Sequence, residues 1–576
     1  MRHVFLLLIG GVWIAGCAGS PLDALDAEAA RMIRQRQALA LGVAGQVPLN
    51  LEPADPPTDK STYREDPSTL NPPAGALPAK TATPTDADQI LTRGRSSGLD
   101  ESRPPLRLDL KGLLAYALER SPEYRSRKED LYLATLSLII ERHLWGPRFF
   151  NTLTASVSDA QVSPLEGGER QTVATLINDF QITQRLPYGG EVSVGALVEY
   201  VNLLRRAAIN ADDSRHAQSI ALTASLNLPL LRGAGQVARE DLIQAERDLV
   251  YAVRAFERFR REFLVDLSVD YFNLIVRQKQ IANRAQQVKN LQRLADRFEA
   301  LAGAGREPYF EAERSLGSVL IERSNLLNDQ DAYQERLDTL KIRIGMPTVE
   351  PLAIEEINLT VPDPALDSVH GVLVASQFRL DLQTSEDRVI DARRGIANAR
   401  NGLLPDLDLF GNVTLPTDGN TAVDGVDFEA GELDVSGGVT FSLPLDRKIE
   451  EVTLRQAMIA YERSRRNTQV LSNQVALQVR QSIRRIDRAK INFVLQQRNV
   501  SIAERRKIAV TLRERSLGPR DVIEAEQALV DAQDRRDQAQ RDLRVSVLQY
   551  LLDTGQMRVS PEGRWEPPAQ LVGGVQ

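Results

Sequence analysis

Two stretches of this chain run without proline for far longer than an ordinary helix: residues 236–302, about 67 residues, and residues 448–516, about 69. In the first, Leu242, Leu249, Phe256 and Phe263 recur every seven residues, and Ala245, Val253, Leu267 and Leu274 fill in at threes and fours. That spacing predicts a coiled-coil helix. At 1.5 Å per residue it is a rod ~100 Å long. Such a rod cannot be wrapped into a small core and must lie beside other rods. Gly303 and Gly305 stop the first, and a return helix is expected from Pro308 to Ile344, ended by Gly345 and Pro347. Gly518-Pro519 turn the second, and its return helix is expected to reach about Asp553. Composition agrees: only 5% of residues are aromatic, while 26% are charged, a balance that favours long helices over compact sandwiches.

The two hairpins are related. Residues 305–320 read GREPYFEAERSLGSVL and residues 518–533 read GPRDVIEAEQALVDAQ; Glu311-Ala312-Glu313 and Leu316 match Glu524-Ala525-Glu526 and Leu529 at an offset of 213. Shorter elements precede each rod in the same order. A helix over 108–118 and another from Ser121-Pro122-Glu123 to Trp145 lead to alternating strands in FFNTLTASVSDAQV and LTASLNLPLLRGAG. Helices over 365–377 and 381–402 lead to LDLFGNVTL and LDVSGGVTFSLPL. The first half carries about 43 extra residues between its first and last strand, including QITQRLPYGGEVSVGALVEYV, two alternating runs flanking a Pro187-Tyr188-Gly189-Gly190 turn. Four strands are therefore expected in the first half and two in the second. No stretch reaches ~18 consecutive apolar residues, so any membrane crossing would need a closed β-barrel.

The first residues, MRHVFLLLIGGVWIAGCAGS, read as a secretory signal ending in Ile14-Ala15-Gly16-Cys17, which resembles the lipobox of bacterial lipoproteins. Residues 1–16 are then the signal and Cys17, the only cysteine, the lipidated residue. Ala18, rather than Asp, follows it, and by resemblance to lipoprotein sorting this favours the outer membrane. A short helix could occupy 20–47, but nine prolines fall between 48 and 84, and 17–105 as a whole reads as a linker. The first repeat is placed at 106–350, the second at 351–555 and a tail at 556–576.

Enzyme chemistry finds little support. His3, His143, His216 and His370 are scattered, and one cysteine cannot build a zinc cluster. RGAGQVARE lacks the order of a phosphate-binding loop, and Gly233 and Gly235 read as a sharp strand-to-helix bend. No catalytic, cofactor-binding or metal residue is assigned. A net charge of −7 without a basic block excludes nucleic acid as an expected partner.

The doubled order, the SLNLPLLRGAG and FSLPLDRK junctions and the Asp521-Val522-Ile523-Glu524-Ala525 helix start resemble the TolC-like outer-membrane factor family over about 106–555. The resemblance implies an α+β membrane protein with two internal repeats per protomer. Three protomers would form an outer-membrane β-barrel continuous with a long periplasmic α-helical coiled-coil barrel. The usual family barrel takes four strands per protomer, twelve in all; six would give eighteen, unless the extra hairpin forms a plug or a flap. The implied function is the exit duct of a tripartite efflux or type I secretion system, with no enzymatic activity. A periplasmic adaptor, an inner-membrane transporter and outer-membrane lipid are its implied partners. Proteins or polysaccharides are alternative cargo, and a pore-less coiled-coil scaffold is the rival from another class. Carried onto this sequence, the family's aperture carboxylates fall on Asp521 and Glu524, with Glu311 and Pro308 at the matching first-half positions. Adaptor docking falls on Gly303, Gly305, Arg306, Leu517, Gly518, Pro519 and Arg520. Asp521 also suits the first turn of a helix simply by complementing its dipole.

Overall fold

The structure, a computed structural model, describes residues 21–41, 104–161, 170–205, 216–356, 367–417, 428, 430–513, 519–559 and 565–566. Cys17, Leu517, Gly518, most of the 17–105 segment and much of the 556–576 tail lie outside these residues. In chain order the elements are α1 (Pro21–Leu41), β1 (Leu106–Leu108), α2 (Leu110–Arg120), α3 (Pro122–Leu144), β2 (Arg148–Gln161), β3 (Arg170–Arg185), β4 (Glu191–Arg205) and β5 (His216–Pro229). Next come α4 (Glu240–Gly303), α5 (Tyr309–Ile344), β6 (Leu352–Ile354), α6 (Ser368–Phe378), α7 (Leu380–Asn401), β7 (Asp406–Pro416), β8 (Asp434–Ser442), α8 (Lys448–Leu512) and α9 (Pro519–Asp553).

The long helices α4 and α8 have 64 and 65 residues, each ~95 Å of rod. Their return helices α5 and α9 are little more than half as long. Side by side the order is α5, α4, α9, α8: α4 packs on α5 and on α9, and α9 also packs on α8. The heptad residues face inward as the spacing requires. Leu249, Val253, Phe256, Phe263, Leu267 and Leu274 are buried, with Leu242 and Ala245 at the margin of the same core. That core is thickest where α2 and α3 lean on α4. There Tyr124 meets Phe256 and Phe263 with ring centroids 5.6 and 5.9 Å apart. Ser121 caps α3 from the position before Pro122, its hydroxyl accepting from the Tyr124 N–H and donating to the Arg343 carbonyl at the end of α5.

Two features depart from the sequence reading. Residues 21–41 form α1, in the stretch where the sequence allows a short helix, but it belongs to the folded body and not to a linker: it packs on α3 and α4 and buries Ala29, Met32, Ile33 and Ala40. The Tyr132 hydroxyl donates to Asp26, and Arg36 and Arg142 share Glu246 at 3.1 and 3.0 Å. The linker reading is thus corrected for this stretch: an apolar stripe free of proline has a surface to cover. The second feature is a parallel pair, Leu106–Leu108 against Leu352–Ile354, which ties the start of one repeat to the start of the other. Three-residue strands leave no periodic signal, so only the fold reveals them.

The main sheet has six strands in the order β2-β3-β4-β5-β7-β8, every neighbour antiparallel. At one end the chain turns tightly or enters helices. Gly190 has φ +83°, and a Cβ there would sit 2.0 Å from the Asn227 carbonyl oxygen, so the β3–β4 turn requires glycine. Gly233 and Gly235, at φ +77° and +76°, bend the chain from β5 into α4. The Asn401 side chain, at the end of α7, clamps that bend by accepting from the Gly233 N–H at 2.7 Å and donating to the Leu231 carbonyl at 3.2 Å. Helix α7 bridges the two rods. Arg254 and Arg258 of α4 pair with its Asp387 and Asp381 at 2.5 and 2.8 Å, and its Ser385 bonds Thr468 of α8.

Candidate channel wall and hairpin tips

In an antiparallel sheet, residues directly opposite one another point to the same face. Tracing the pairs Leu153↔Asn178, Asn178↔Val198, Val198↔Ile220, Leu222↔Leu415 and Val413↔Val435 across the strands defines one face. It carries Phe149, Leu153, Val157, Leu176, Phe180, Val194, Tyr200, Leu222, Leu409, Val413, Val435, Val439 and Phe441, all exposed. The opposite face carries Thr152, Thr154, Ser156, Gln181, Ser193, Thr223, Ser225, Asn412, Thr414, Ser436 and Thr440. Its charged side chains are mostly acidic: Asp179, Glu191, Glu199, Asp406, Asp408 and Asp434, against Arg148 and Arg185. A sheet mostly apolar on one side and mostly polar on the other, its apolar side largely exposed among the described residues, has the alternation of a lipid-facing wall around an aqueous lumen. Strands of 9 to 16 residues are long enough to cross a bilayer. Among the described residues no helix is long and apolar enough to do so. The extra strands β3 and β4 stand in the middle of this sheet, hydrogen-bonded along both edges. Among the described residues, the outer strands β2 and β8 each have one edge without a partner strand.

At the far end of the rods, ~95 Å away, lie the two hairpin tips. Gly305, at φ +69°, closes the first, with the Arg306 N–H donating to the Leu301 carbonyl at 2.9 Å. Helix α5 then begins after Pro308, with Glu311 in its first turn. Pro519 opens α9, with Asp521 in its first turn. The tips are joined by packing: Val522 and Ile523 of α9 and Ala312 of α5 rest on a cluster of Leu291, Leu294, Ala295 and Phe298 from α4 and Val319 from α5. Asp521 and Glu311 are thereby brought to one end of the molecule.

The carboxylates differ in their surroundings. Glu311 pairs with Arg314 one turn along its own helix at 3.3 Å. Glu524 pairs with Arg520 at 2.9 Å and lies 3.9 Å from Arg506 of α8. The hydrogen bond to Glu524, reinforced by its charge, raises the Arg520 guanidinium above its ordinary value. Asp521 is exposed to solvent. Glu526, singled out only as part of the doubled block, is buried and bonded to Lys507 of α8 at 2.9 Å and to Asn290 of α4 at 3.1 Å. Lys507 and Arg506 were not apparent as site residues from the sequence. Their signal was position: in an antiparallel hairpin, residues at similar distances from the turn meet, and 506 and 507 lie six and five residues before the end of α8 while 524 and 526 lie five and seven after the start of α9. No group of His, Cys, Asp and Glu that could hold a metal ion occurs among the described residues.

No protein-family model matches this chain, and no curated protein matches it in sequence. Solved structures do. The outer membrane protein VceC from Vibrio cholerae is 17% identical, with a TM-score of 0.58 over 77% of this chain and 96% of that one. The Campylobacter jejuni CmeC outer membrane channel is 13% identical, with a TM-score of 0.58 over 80% and 88%. The open state of the Neisseria gonorrhoeae MtrE outer membrane channel is 15% identical, with a TM-score of 0.54 over 77% and 88%. At these identities the likeness is one of architecture, and it spans nearly the whole of each channel: this chain has the fold of a TolC-like outer-membrane channel.

Proposed function

We propose that this chain is the outer-membrane exit duct of a tripartite efflux or secretion system, a passive conduit without chemistry of its own. One observation carries the reading: a sheet apolar on one face and polar on the other passes directly into two ~95 Å rods, through β5 into α4 and through β8 into α8. A pore-less scaffold would have no use for that apolar face.

Three copies would close the duct. An open sheet edge cannot stand in lipid, so β8 of one copy must meet β2 of the next. The rods repeat the pattern. Helix α5 exposes Tyr309, Phe310, Leu320 and Ile321, and α8 exposes Ile491, Leu495, Ile502 and Ile508, apolar sides that a neighbouring copy would cover. The acidic tips would form the periplasmic aperture, with Asp521 and Glu524 as gate carboxylates and Glu311 alongside. An adaptor would dock on the turn around Gly303, Gly305 and Arg306 and on Pro519 and Arg520, with energy and substrate choice supplied by an inner-membrane transporter. Protein or polysaccharide cargo in a type I secretion system is the alternative within this reading.

A lipid anchor on Cys17 carries a geometric condition. Asp26 meets Tyr132 while Arg36 shares Glu246 with Arg142, so α1 runs parallel to α3, toward the sheet. Its first residue lies about 25 Å short of the sheet end of α3, whereas the four residues from Cys17 to Pro21 span at most ~14 Å. Anchoring in the same membrane therefore requires α1 to undock. Radiolabelled palmitate incorporated by the wild-type chain, and not by a Cys17→Ser variant, is the expected result.

Planar-bilayer recording tests the duct itself. Purified protein should give discrete channels, and Asp521→Asn with Glu524→Gln should raise the resting conductance severalfold. Absence of channels in both proteins would sink the proposal; channels with unchanged conductance would sink the gate alone.

A further inference from the structure

We infer that all six strands of each copy stand in the wall of the closed barrel, which then has eighteen strands and a wide aqueous mouth suited to polymer-sized hydrated cargo. The inference rests on the trimeric duct proposed above and concerns what that duct looks like at the outer membrane.

Three observations place the extra strands in the wall. First, β3 and β4 are paired along most of their lengths with β2 and β5, from Arg148↔Thr183 through Asp159↔Thr172 and from Glu191↔Asn227 through Asn202↔His216. A plug or a flap would leave the outer strands paired with each other and the hairpin free. Second, the hairpin obeys the same alternation as its neighbours. Leu176, Phe180, Val194 and Tyr200 share the apolar face of Leu153 and Leu222, while Gln181 and Ser193 share the polar face of Thr152 and Thr223. A hairpin folded into a lumen would have no reason to keep one side apolar. Third, its turn is fixed in place. The Gly235 N–H donates to the Tyr188 carbonyl at 2.8 Å, so the tip of the hairpin is held against the entry to α4, level with the other strand ends.

Closure is consistent with strand direction. β2 runs away from the helical rods and β8 runs back toward them. With six strands per copy, β8 therefore meets the next copy's β2 antiparallel, and the alternation continues unbroken around the ring. The tight β3–β4 turn lies at the helical end, while β2 and β4 end, and β3 and β5 begin, at the other. Barrel diameter grows roughly linearly with strand number, so eighteen strands give a mouth about 1.5 times as wide as twelve. A single eight-stranded wall is filled by its own side chains; walls of 16–18 strands leave an aqueous channel.

Deleting residues 168–213 removes β3 and β4 together. Parity is kept, since β2 and β5 run in opposite directions and can pair. In purified trimers, the largest neutral polyethylene glycol that enters from the sheet side should fall to about two-thirds of its radius in the full chain. An unchanged or larger limit would overturn the inference. Cryo-electron microscopy of the full-length trimer provides the second measurement if the deletion fails to fold: eighteen wall strands are expected, and twelve with a separate hairpin would refute it. A protein that stays monomeric and gives no channels at all would instead refute the duct on which the inference rests.

Discussion

The two copies of Glu-Ala-Glu-x-x-Leu share a sequence and differ in what covers them. In α9, Ala525, Glu526 and Leu529 are buried; in α5, Glu313 is exposed and Leu316 is 49% exposed against 9% for Leu529. The cause is position in the row of rods. Helix α9 lies between α4 and α8, while α5 lies at the end of the row beside α4. The same motif is thus core in one repeat and surface in the other. The contrast extends along the helices: Asp534 of α9 bonds Asn283 of α4, and Ile321, its counterpart at the offset of 213, is exposed on α5. The bare side of α5 marks where the next copy is expected.

Mutations can break that contrast, beginning with the largest expected effect. Leu529→Ala should cost about 2–4 kcal/mol in urea unfolding of the detergent-solubilised, dissociated chain, whereas Leu316→Ala should cost less than about 0.5. Equal costs in the dissociated chain would show that α5 is already covered without a second copy. In the assembled oligomer the gap should narrow, which native mass spectrometry would read as dissociation of Leu316→Ala trimers. Next, Glu526→Ala leaves Lys507 and Asn290 facing a missing acceptor and should cost about 1–3 kcal/mol. Glu313→Ala should be near neutral, and a measurable loss there would reverse the comparison.

At the tips the contrast is functional. If the second repeat holds the gate, Asp521→Asn with Glu524→Gln raises resting conductance more than Glu311→Gln, because it removes two carboxylates per copy, one of them the exposed Asp521. A larger response from Glu311→Gln would assign the gate to the first repeat.

The smallest effect concerns pH. Burial raises the Asp534 carboxyl above its ordinary value, outweighing the Asn283 hydrogen bond. A raised carboxyl favours the folded chain when protonated, so its contribution is present below the unfolded value of 3.8 and is lost as pH rises through the folded value. Asp534→Asn should therefore raise the melting temperature at neutral pH, by less than about 3 °C. The gain should vanish below the ordinary carboxylate range. A gain that persists there would mean that charge is not its origin.

Much of this molecule was readable before the fold was known. The rods, their turns and the strands around Gly190 all carry periodic or turn signals strong enough to survive without tertiary context. The site was less legible. Asp521 and Glu311 could be placed in first turns by counting from Pro519 and Pro308, but Lys507 beneath Glu526 and Arg506 near Glu524 are contacts between two helices. The docking of helix α1 was hidden for a related reason: its stripe of Ala29, Met32, Ile33 and Ala40 is modest by itself and gains meaning only from its packing on α3 and α4.

The sequence by itself determined which segments are rods, which are strands and where each one turns, because those properties follow from residue spacing along a single element. Only the tertiary structure decided that β3 and β4 stand inside one six-stranded sheet, that one face of that sheet is predominantly apolar, and that one copy of the doubled motif is buried while the other is bare. Register between strands and order among helices depend on partners distant in the chain, and no local pattern encodes them.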